Sequence, residues 1–477
     1  MSGSLTAPLY EDLSLSQGHT RGAGAAYFAA VISGLAVAAL WLTGRAELLR
    51  MAIPAMALVT GAVLYFTRPL LYIQYSLWVW FLAPLIRRIV DWRFGYAEPN
   101  FVLVAPLLVS AVAALTLLIP SRRGDTRIPA AFVLCGTAIF YGFIVGMVLH
   151  PSGETVYGLF NWLCPMLFGL HLFLSWRQYE AHRSAISKTF LWGVLILGVY
   201  GIYQYLSPPA WDRFWLENVM IGGQNESFGQ PEPFQVRVWS TMNSPGPFAN
   251  VMLAGLLVLF TVRSAWKLPA TVAGYLSLLL SLVRTTWLSW LIGFFVFLRK
   301  SKPRVIARTL ALIIVLAACL LPAMNDPRVA TVLGDRVKTL SDVGSDESFS
   351  ARLGMYQILA LDVANHPFGY GVSNQKESED MAIDSGILSL LYSLGWLGAL
   401  LFAVGVASLL MGNRLAWREG DHFVALSQAF LVALLAQIIG GNIFVGINGI
   451  FFWLFSATYL AGSMQDAAWE SPAVATG

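Results

Sequence analysis

Four charged side chains stand out because of where they fall in an apolar chain: Arg237, Arg284, Arg352 and Asp384. Arg284 is the only charged residue between Lys267 and Arg299, set in Ser-Leu-Val-Arg-Thr-Thr-Trp. An arginine at the centre of a membrane helix costs about 2.5 to 3.5 kcal/mol on insertion scales, so two short spans with Arg284 at their turn are cheaper than one long span. At such a turn the guanidinium either snorkels to the interface or faces a cavity as an anion ligand. Arg237 precedes Ser240, Thr241, Asn243 and Ser244, and then Pro245-Gly246-Pro247. That is a polar, turn-forming entry to a helix, where free backbone N–H groups and the positive dipole end suit a phosphate, with ordinary loop and cap chemistry as the competing use.

Arg352 falls on the polar side of a predicted helix near Asp342, Asp346 and Glu347, so a salt bridge competes with any ligand role. Asp384 immediately precedes a run that stays uncharged until Arg414. With Ser385 beside it, helix capping is its plainest use, since both residue types satisfy orphan N–H groups. His366, followed by Pro367, suits the end of a helix, and alone it makes no metal site. His150 and Glu154 share a short connector without a third ligand, and Glu377, Glu379 and Asp380 suit a solvated loop. No Gly-rich phosphate loop, zinc spacing or nucleophile elbow is present.

The elements that must position these residues are membrane helices. The chain is 57% hydrophobic and only 12% charged, against roughly 25% charge in soluble proteins. A net charge of +4, scattered along the chain, gives no footing for nucleic acid. Cys135, Cys164 and Cys319 sit in apolar runs and are expected in the core. Residues 1–22 are a polar tail, and no cleavable signal is expected.

A helix needs about 20 apolar residues to span, which gives spans near 24–43, 47–66, 69–86, 100–119, 129–148, 157–175, 189–206, 246–262, 269–283, 286–298, 305–323, 386–411, 423–440 and 446–463. The expected class is therefore an all-α polytopic membrane protein with about 12–14 transmembrane helices. Its segments are N-terminal helices over 23–206, an outer loop over 207–245, helices carrying Arg284 over 246–324, a second outer loop with a surface helix over 325–384, C-terminal helices over 385–465 and a tail over 466–477. With the N-terminus in the cytoplasm, 17 Lys and Arg stand against 8 Asp and Glu on that side, and 13 against 18 on the other, as the positive-inside rule requires. Arg87, Arg88 and Arg93 fall on the wrong side of this partition. Phe349, Leu353, Tyr356, Ala360 and Val363 recur at helical spacing up to Pro367, which predicts a helix along the membrane surface. Trp211, Phe214, Trp215 and Trp239 of the first long loop suit stacking on sugars or anchoring at the interface, and anchoring is the expectation.

Taken in order, four stretches resemble the O-antigen ligase and Wzy-type polysaccharide polymerase superfamily, bacterial inner-membrane glycosyltransferases of the GT-C type. They are Arg237 to Asn250, with an Arg followed by a Thr-x-x-Asn-Pro-like turn; Leu282 to Trp290, like Ser-Arg-x-x-Trp-Leu; Ser350 to Asn374, like Arg-x-x-x-Trp followed by His-Pro-x-x-Gly-x-Gly; and Asp384 to Gly398, closing in Gly-x-x-Gly. The resemblance implies a metal-independent, inverting enzyme without a cofactor, whose site faces the periplasm. Its partners would be an undecaprenyl-pyrophosphate-linked oligosaccharide, membrane lipid, and polysaccharide chain-length or export proteins. Arg237 and Arg284 match the phosphate-binding arginines and Arg352 the arginine opening the periplasmic helix, with Thr241, Asn243, Tyr356 and His366 in supporting positions.

At Asp384 the pattern departs. The ligases open the last motif with His-Asn, eleven residues before the first glycine of Gly-x-x-Gly, where this chain has Asp384 and Ser385. A carboxylate still serves as general base or acceptor-orienting group. The change favours polymerisation of repeat units over a ligase or a protein O-oligosaccharyltransferase. A lipid-linked sugar flippase, binding phosphate on the same arginines without chemistry, is the rival of another class.

Overall fold

The computed structural model describes residues 24, 31–119, 127–221, 228–299, 356–357, 360–372, 385–411 and 421–470. It is 81% helical with no strand among these residues, so the chain is an all-α polytopic membrane protein. In chain order the helices are α1 (Val31–Leu42), α2 (Ala46–Thr67), α3 (Pro69–Phe94), α4 (Phe101–Leu118), α5 (Ala130–Leu149), α6 (Gly153–Leu174), α7 (Tyr179–Leu206), α8 (Ala210–Ile221), α9 (Pro245–Leu259), α10 (Lys267–Leu280), α11 (Arg284–Leu298), α12 (Gly386–Met411), α13 (His422–Leu435) and α14 (Gly446–Glu470). Among the described residues, nine helices, α2–α7 and α12–α14, are long and apolar enough to cross a bilayer, while α1 and α9–α11 are apolar but shorter. The span expected over 305–323 lies outside the described residues.

The pillar of the bundle is α14, the most enclosed of the long helices. Phe451, Phe452, Trp453, Leu454 and Phe455 along it are all fully buried. It packs on α6, α13, α7 and α9, while α12 packs chiefly on α5, and α10 on α7. The α6 contact is close because position 169 is glycine: a Cβ there would stand 2.6 Å from the Trp453 carbonyl oxygen.

Breaks in the helices matter more to the site than the helices do. Between α10 and α11 the chain turns through Leu282, a non-glycine residue at φ +56°, so Arg284 opens a helix instead of lying inside one. Helix α12 is interrupted at Gly395, with φ +62° and ψ −176°. The segment after His366 docks into that break: Trp396 N donates to the Pro367 carbonyl at 2.8 Å, Tyr370 N to the Tyr392 carbonyl at 2.8 Å and Val372 N to the Gly142 carbonyl at 3.2 Å. Gly369 lies against the Gly395 backbone and Gly371 against that of Gly146, contacts any Cβ would obstruct. The His-Pro-x-x-Gly-x-Gly and Gly-x-x-Gly stretches are thus two halves of one backbone joint.

Two of the three arginines that broke the charge partition, Arg87 and Arg88, are paired inside the protein, whereas Arg93 is exposed. Asp91 accepts from Arg50 Nη2 at 3.1 Å, Arg87 Nε at 3.2 Å and Asn100 Nδ2 at 2.9 Å. Arg87 also meets Glu98 at 2.6 Å. Arg88 and Asp212 form an ion pair at 3.3 Å with both side chains fully buried. Charges neutralised by partners within the fold exert little pull on topology, which is why they escape the positive-inside count.

The aromatic residues of the first long loop need a correction. Trp215 and Trp239 do not anchor at an interface: they are 3% and 1% exposed and build a small core with Leu216, Val219, Phe228 and Val236. Trp211 stacks edge-on with Trp92 at 6.1 Å and donates to Tyr200 OH. Helix α8, placed by this core, supplies Asp212.

Candidate functional site

Arg237 lies in an irregular segment held by backbone hydrogen bonds. Its own N–H donates to the Phe228 carbonyl at 2.9 Å, and Val238 N donates to the Leu280 carbonyl at 3.1 Å. Its side chain then reaches the turn ahead of α11, with Nε donating to the Ser281 carbonyl at 3.3 Å and Nη2 to the Leu282 carbonyl at 3.4 Å. The two arginines that sequence separates are therefore brought to one turn: Arg237 clasps residues 281 and 282, and Arg284 opens the helix two positions on. No side chain caps that helix, so its first N–H groups and dipole add to the positive field.

Backbone strain gathers at the same place. Ser240 at φ +51° and Leu282 at φ +56° are non-glycine residues in the left-handed region, costing on the order of 1–3 kcal/mol each. The entry to α9 is less generous to an anion than its sequence implies, because Pro245 and Pro247 remove two of the first three N–H groups. Thr241, 1% exposed, has no partner for its hydroxyl among the described residues, and neither has the amide oxygen of Asn243. Both lie close to Arg237 in the chain, and both atoms are buried.

A second helix start, that of α12, meets the same connector, between α13 and α14, as the start of α11. Ser385, 5% exposed, accepts from Leu388 N through its hydroxyl at 3.4 Å and from Ser389 N through its carbonyl. It fills the capping position, which leaves Asp384 one residue ahead of the cap. Asp384 itself and Arg352 lie outside the described residues.

The connector between α13 and α14, residues 436–445, joins the two helix starts. Gly386 presses on it, since a Cβ there would stand 2.5 Å from the Gly441 carbonyl oxygen, and Gly440 lies opposite the Thr285 side chain. Tyr356 OH donates to the Ile439 carbonyl at 2.6 Å. Beneath it runs a web of amides. Thr286 Oγ1 reaches Asn250 Oδ1 at 3.3 Å and Gln437 Oε1 at 3.4 Å; Asn250 Nδ2 donates to Asn448 Oδ1 at 3.0 Å; Asn448 Nδ2 donates to the Asn442 carbonyl at 3.4 Å; and Asn442 Nδ2 donates to Ser389 Oγ at 2.8 Å. The web ties α11 to α12 through α9 and α14. Sequence reasoning passed over Gln437, Asn442 and Asn448, although polar residues within apolar runs were the signal for them.

His366 belongs to a different cluster. Its Nδ1 lies 3.2 Å from Asp362 Oδ1 and 2.8 Å from Tyr370 OH, and Tyr370 stacks on Tyr392 at 4.4 Å. Burial, reinforced by Asp362, pushes the Tyr370 hydroxyl above its ordinary pKa. The cluster sits at the Gly395 joint, roughly 14 Å along α12 from Gly386 at 1.5 Å per residue. Among the described residues no group of three or more His, Cys, Asp or Glu could hold a metal ion.

A family model described as O-Antigen ligase (Wzy_C) matches residues 269–403. The match supports membership of the O-antigen ligase and Wzy-type superfamily. No curated protein matches the chain at a significant level. The Wzy_C match contains Arg284, Arg352, His366, Asp384 and the Gly395 joint, whereas Arg237 and the amide connector fall outside it. It supports a glycosyltransferase-like role in polysaccharide assembly, lipid-linked oligosaccharide substrates and a multi-pass membrane location.

Proposed function

We propose that the protein polymerises exopolysaccharide or O-antigen repeat units at the periplasmic face of the inner membrane. It would transfer the growing glycan from undecaprenyl pyrophosphate to a lipid-linked acceptor unit. The observation that carries this reading is the convergence of the α11 and α12 starts on one connector, with Arg237 fastened to the turn before Arg284. Arg237 and Arg284 then belong to one helix start, and Asp384 immediately precedes the other in the chain.

In this reaction an acceptor hydroxyl oxygen forms a bond to the anomeric carbon as the bond from that carbon to the pyrophosphate oxygen breaks. Attack opposite the leaving group inverts the centre. The hydroxyl proton passes to the Asp384 carboxylate, and the electron pair leaves on undecaprenyl pyrophosphate. Arg237 and Arg284 bind that pyrophosphate and hold the charge that grows on it, for which a permanently charged, bidentate guanidinium is suited. Arg352, which the family resemblance matches to the arginine opening a periplasmic helix, is assigned to the acceptor side; Tyr356, four residues on, bonds the connector at Ile439.

The family description favours a second reading, transfer of a finished glycan to a non-repeat acceptor. Product length separates the two. Purified protein in proteoliposomes, given lipid-linked repeat units without added nucleotide or metal, should produce a ladder of lengthened glycans. Transfer only to a lipid A core acceptor would establish the ligase reading, and movement of unchanged substrate across the bilayer would establish a flippase.

A further inference from the structure

The segment that carries Arg237 is irregular, yet it is held from behind by a buried ionic device that the reaction as drawn does not use. Arg88, on α3, pairs through Nε with Asp212 Oδ1 at 3.3 Å, both fully buried, and donates through Nη2 to the Ser240 carbonyl at 2.6 Å. Its guanidinium also lies 5.8 Å from the Trp215 ring centre and 5.9 Å from that of Trp239. Gln204, on α7, completes the grip. Its Oε1 accepts from Trp239 N at 3.1 Å and Ser240 N at 2.8 Å, while its Nε2 donates to Asp212 Oδ2 at 2.6 Å. Ser240 Oγ donates to the Leu197 carbonyl at 2.7 Å.

Every backbone donor from residue 237 to 240 is therefore assigned, two of them to a single glutamine. A buried ion pair is a poor source of net stability, because desolvation offsets most of its attraction. Its best-attested use is to fix one arrangement among several. Here the arrangement it fixes includes Ser240 at φ +51°, a conformation the segment would leave if released.

We infer that Arg88, Asp212 and Gln204 are positioning residues for the donor site: their buried cluster sets the path of residues 237–240 so that Arg237 reaches the turn before Arg284. This rests on the reading of Arg237 as a pyrophosphate ligand. Lysine at position 88 keeps the charge but presents one nitrogen, which cannot bond Asp212 and the Ser240 carbonyl in the same fork.

The experiment pairs an exchange measurement with a mutant cycle on full-length protein. In Arg88→Lys, hydrogen–deuterium exchange over residues 236–242 should rise at least tenfold while α14 keeps its wild-type protection. Elongation of undecaprenyl-pyrophosphate-linked repeat units should fall at least tenfold in kcat/KM. In an Arg237→Lys background the same change should alter kcat/KM less than twofold, because the geometry it disturbs no longer serves the native guanidinium. Asp212→Asn, which preserves shape, is put through the same cycle and covers the case in which Arg88→Lys does not fold.

Unchanged exchange over 236–242 overturns the inference. So does an equal loss of activity in both backgrounds, the mark of a merely structural role. Absence of any transfer by the wild-type protein counts instead against the functional reading, and the exchange data then decide the positioning on their own.

Discussion

Replacing Gly395 by alanine tests whether the two glycine-bearing stretches are one joint. At φ +62° and ψ −176° the residue occupies a region essentially reserved for glycine, which costs another residue about 1–3 kcal/mol. Its new Cβ would also stand 2.5 Å from the Pro367 carbonyl oxygen, and overpacking of this kind costs about 1–3 kcal/mol more. The joint stands to lose the Trp396 bond to Pro367 and the Tyr370 bond to Tyr392, each 2.8 Å long. A total of about 2–6 kcal/mol falls below or near the whole stability of a typical domain, so the segment around 366–372 should detach while the bundle stays folded. At about 1.4 kcal/mol per tenfold, the detached population rises by ~30-fold or more. Chymotrypsin under native conditions should then cut at Phe368 or Tyr370 at a rate raised in proportion, and elongation should fall with it. Gly153→Ala is the control, because that glycine lies at the start of α6 and its Cβ would meet nothing within 4 Å. Wild-type cleavage and elongation in Gly395→Ala would refute the joint.

Arg284→Ala and Arg237→Ala should each reduce elongation by roughly 10²–10³, the scale for removing one stabiliser of developing charge, with insertion checked by cysteine accessibility. Asp384→Asn should lose about 10²–10⁴ in turnover if the carboxylate is the base, and a fully active variant removes it from that role. Asn442→Ala strips partners from Ser389 and the Phe444 N–H; a cost of about 1–3 kcal/mol is expected, read as a lower denaturation midpoint. Thr241→Val removes a hydroxyl that has no partner among the described residues. The folded protein should be as stable or slightly more so, while KM for the lipid-linked donor rises severalfold; an unchanged KM places Thr241 outside the donor site.

The helices were legible because a bilayer demands long apolar runs, and those runs need no knowledge of what packs on them. Arg284 at a turn was legible for the same reason, since a lone charge is costly anywhere else. Other features depended on partners far away in the chain. Arg88 read as a misplaced charge because Asp212, which neutralises it, belongs to another loop. Trp215 and Trp239 carried the composition of interfacial anchors, and only their burial with Phe228 and Val236, beside the Arg88 guanidinium, shows that they form a core. Asn250, Gln437, Asn442 and Asn448 each look tolerable alone in an apolar run. Their meaning lies in being linked to one another, which spacing does not encode. The Gly-x-Gly and Gly-x-x-Gly stretches were visible as motifs, but their mutual docking was not, because it depends on a helix break at Gly395 that an uninterrupted apolar run conceals.

Helices α9, α10 and α11 have 15, 14 and 15 residues. At 1.5 Å per residue they rise only about 21–23 Å, against a hydrocarbon thickness of about 30 Å. Where these three lie side by side, hydrophobic mismatch must be met by a dimpled bilayer or by helix ends sunk beneath the headgroups. If the shortfall falls at the end where α10 meets α11, the turn holding Arg237 and Arg284 sits nearer the mid-plane than the ends of the longer helices. A polyprenyl carrier sliding in sideways would keep its tail in lipid and lift its pyrophosphate hardly at all.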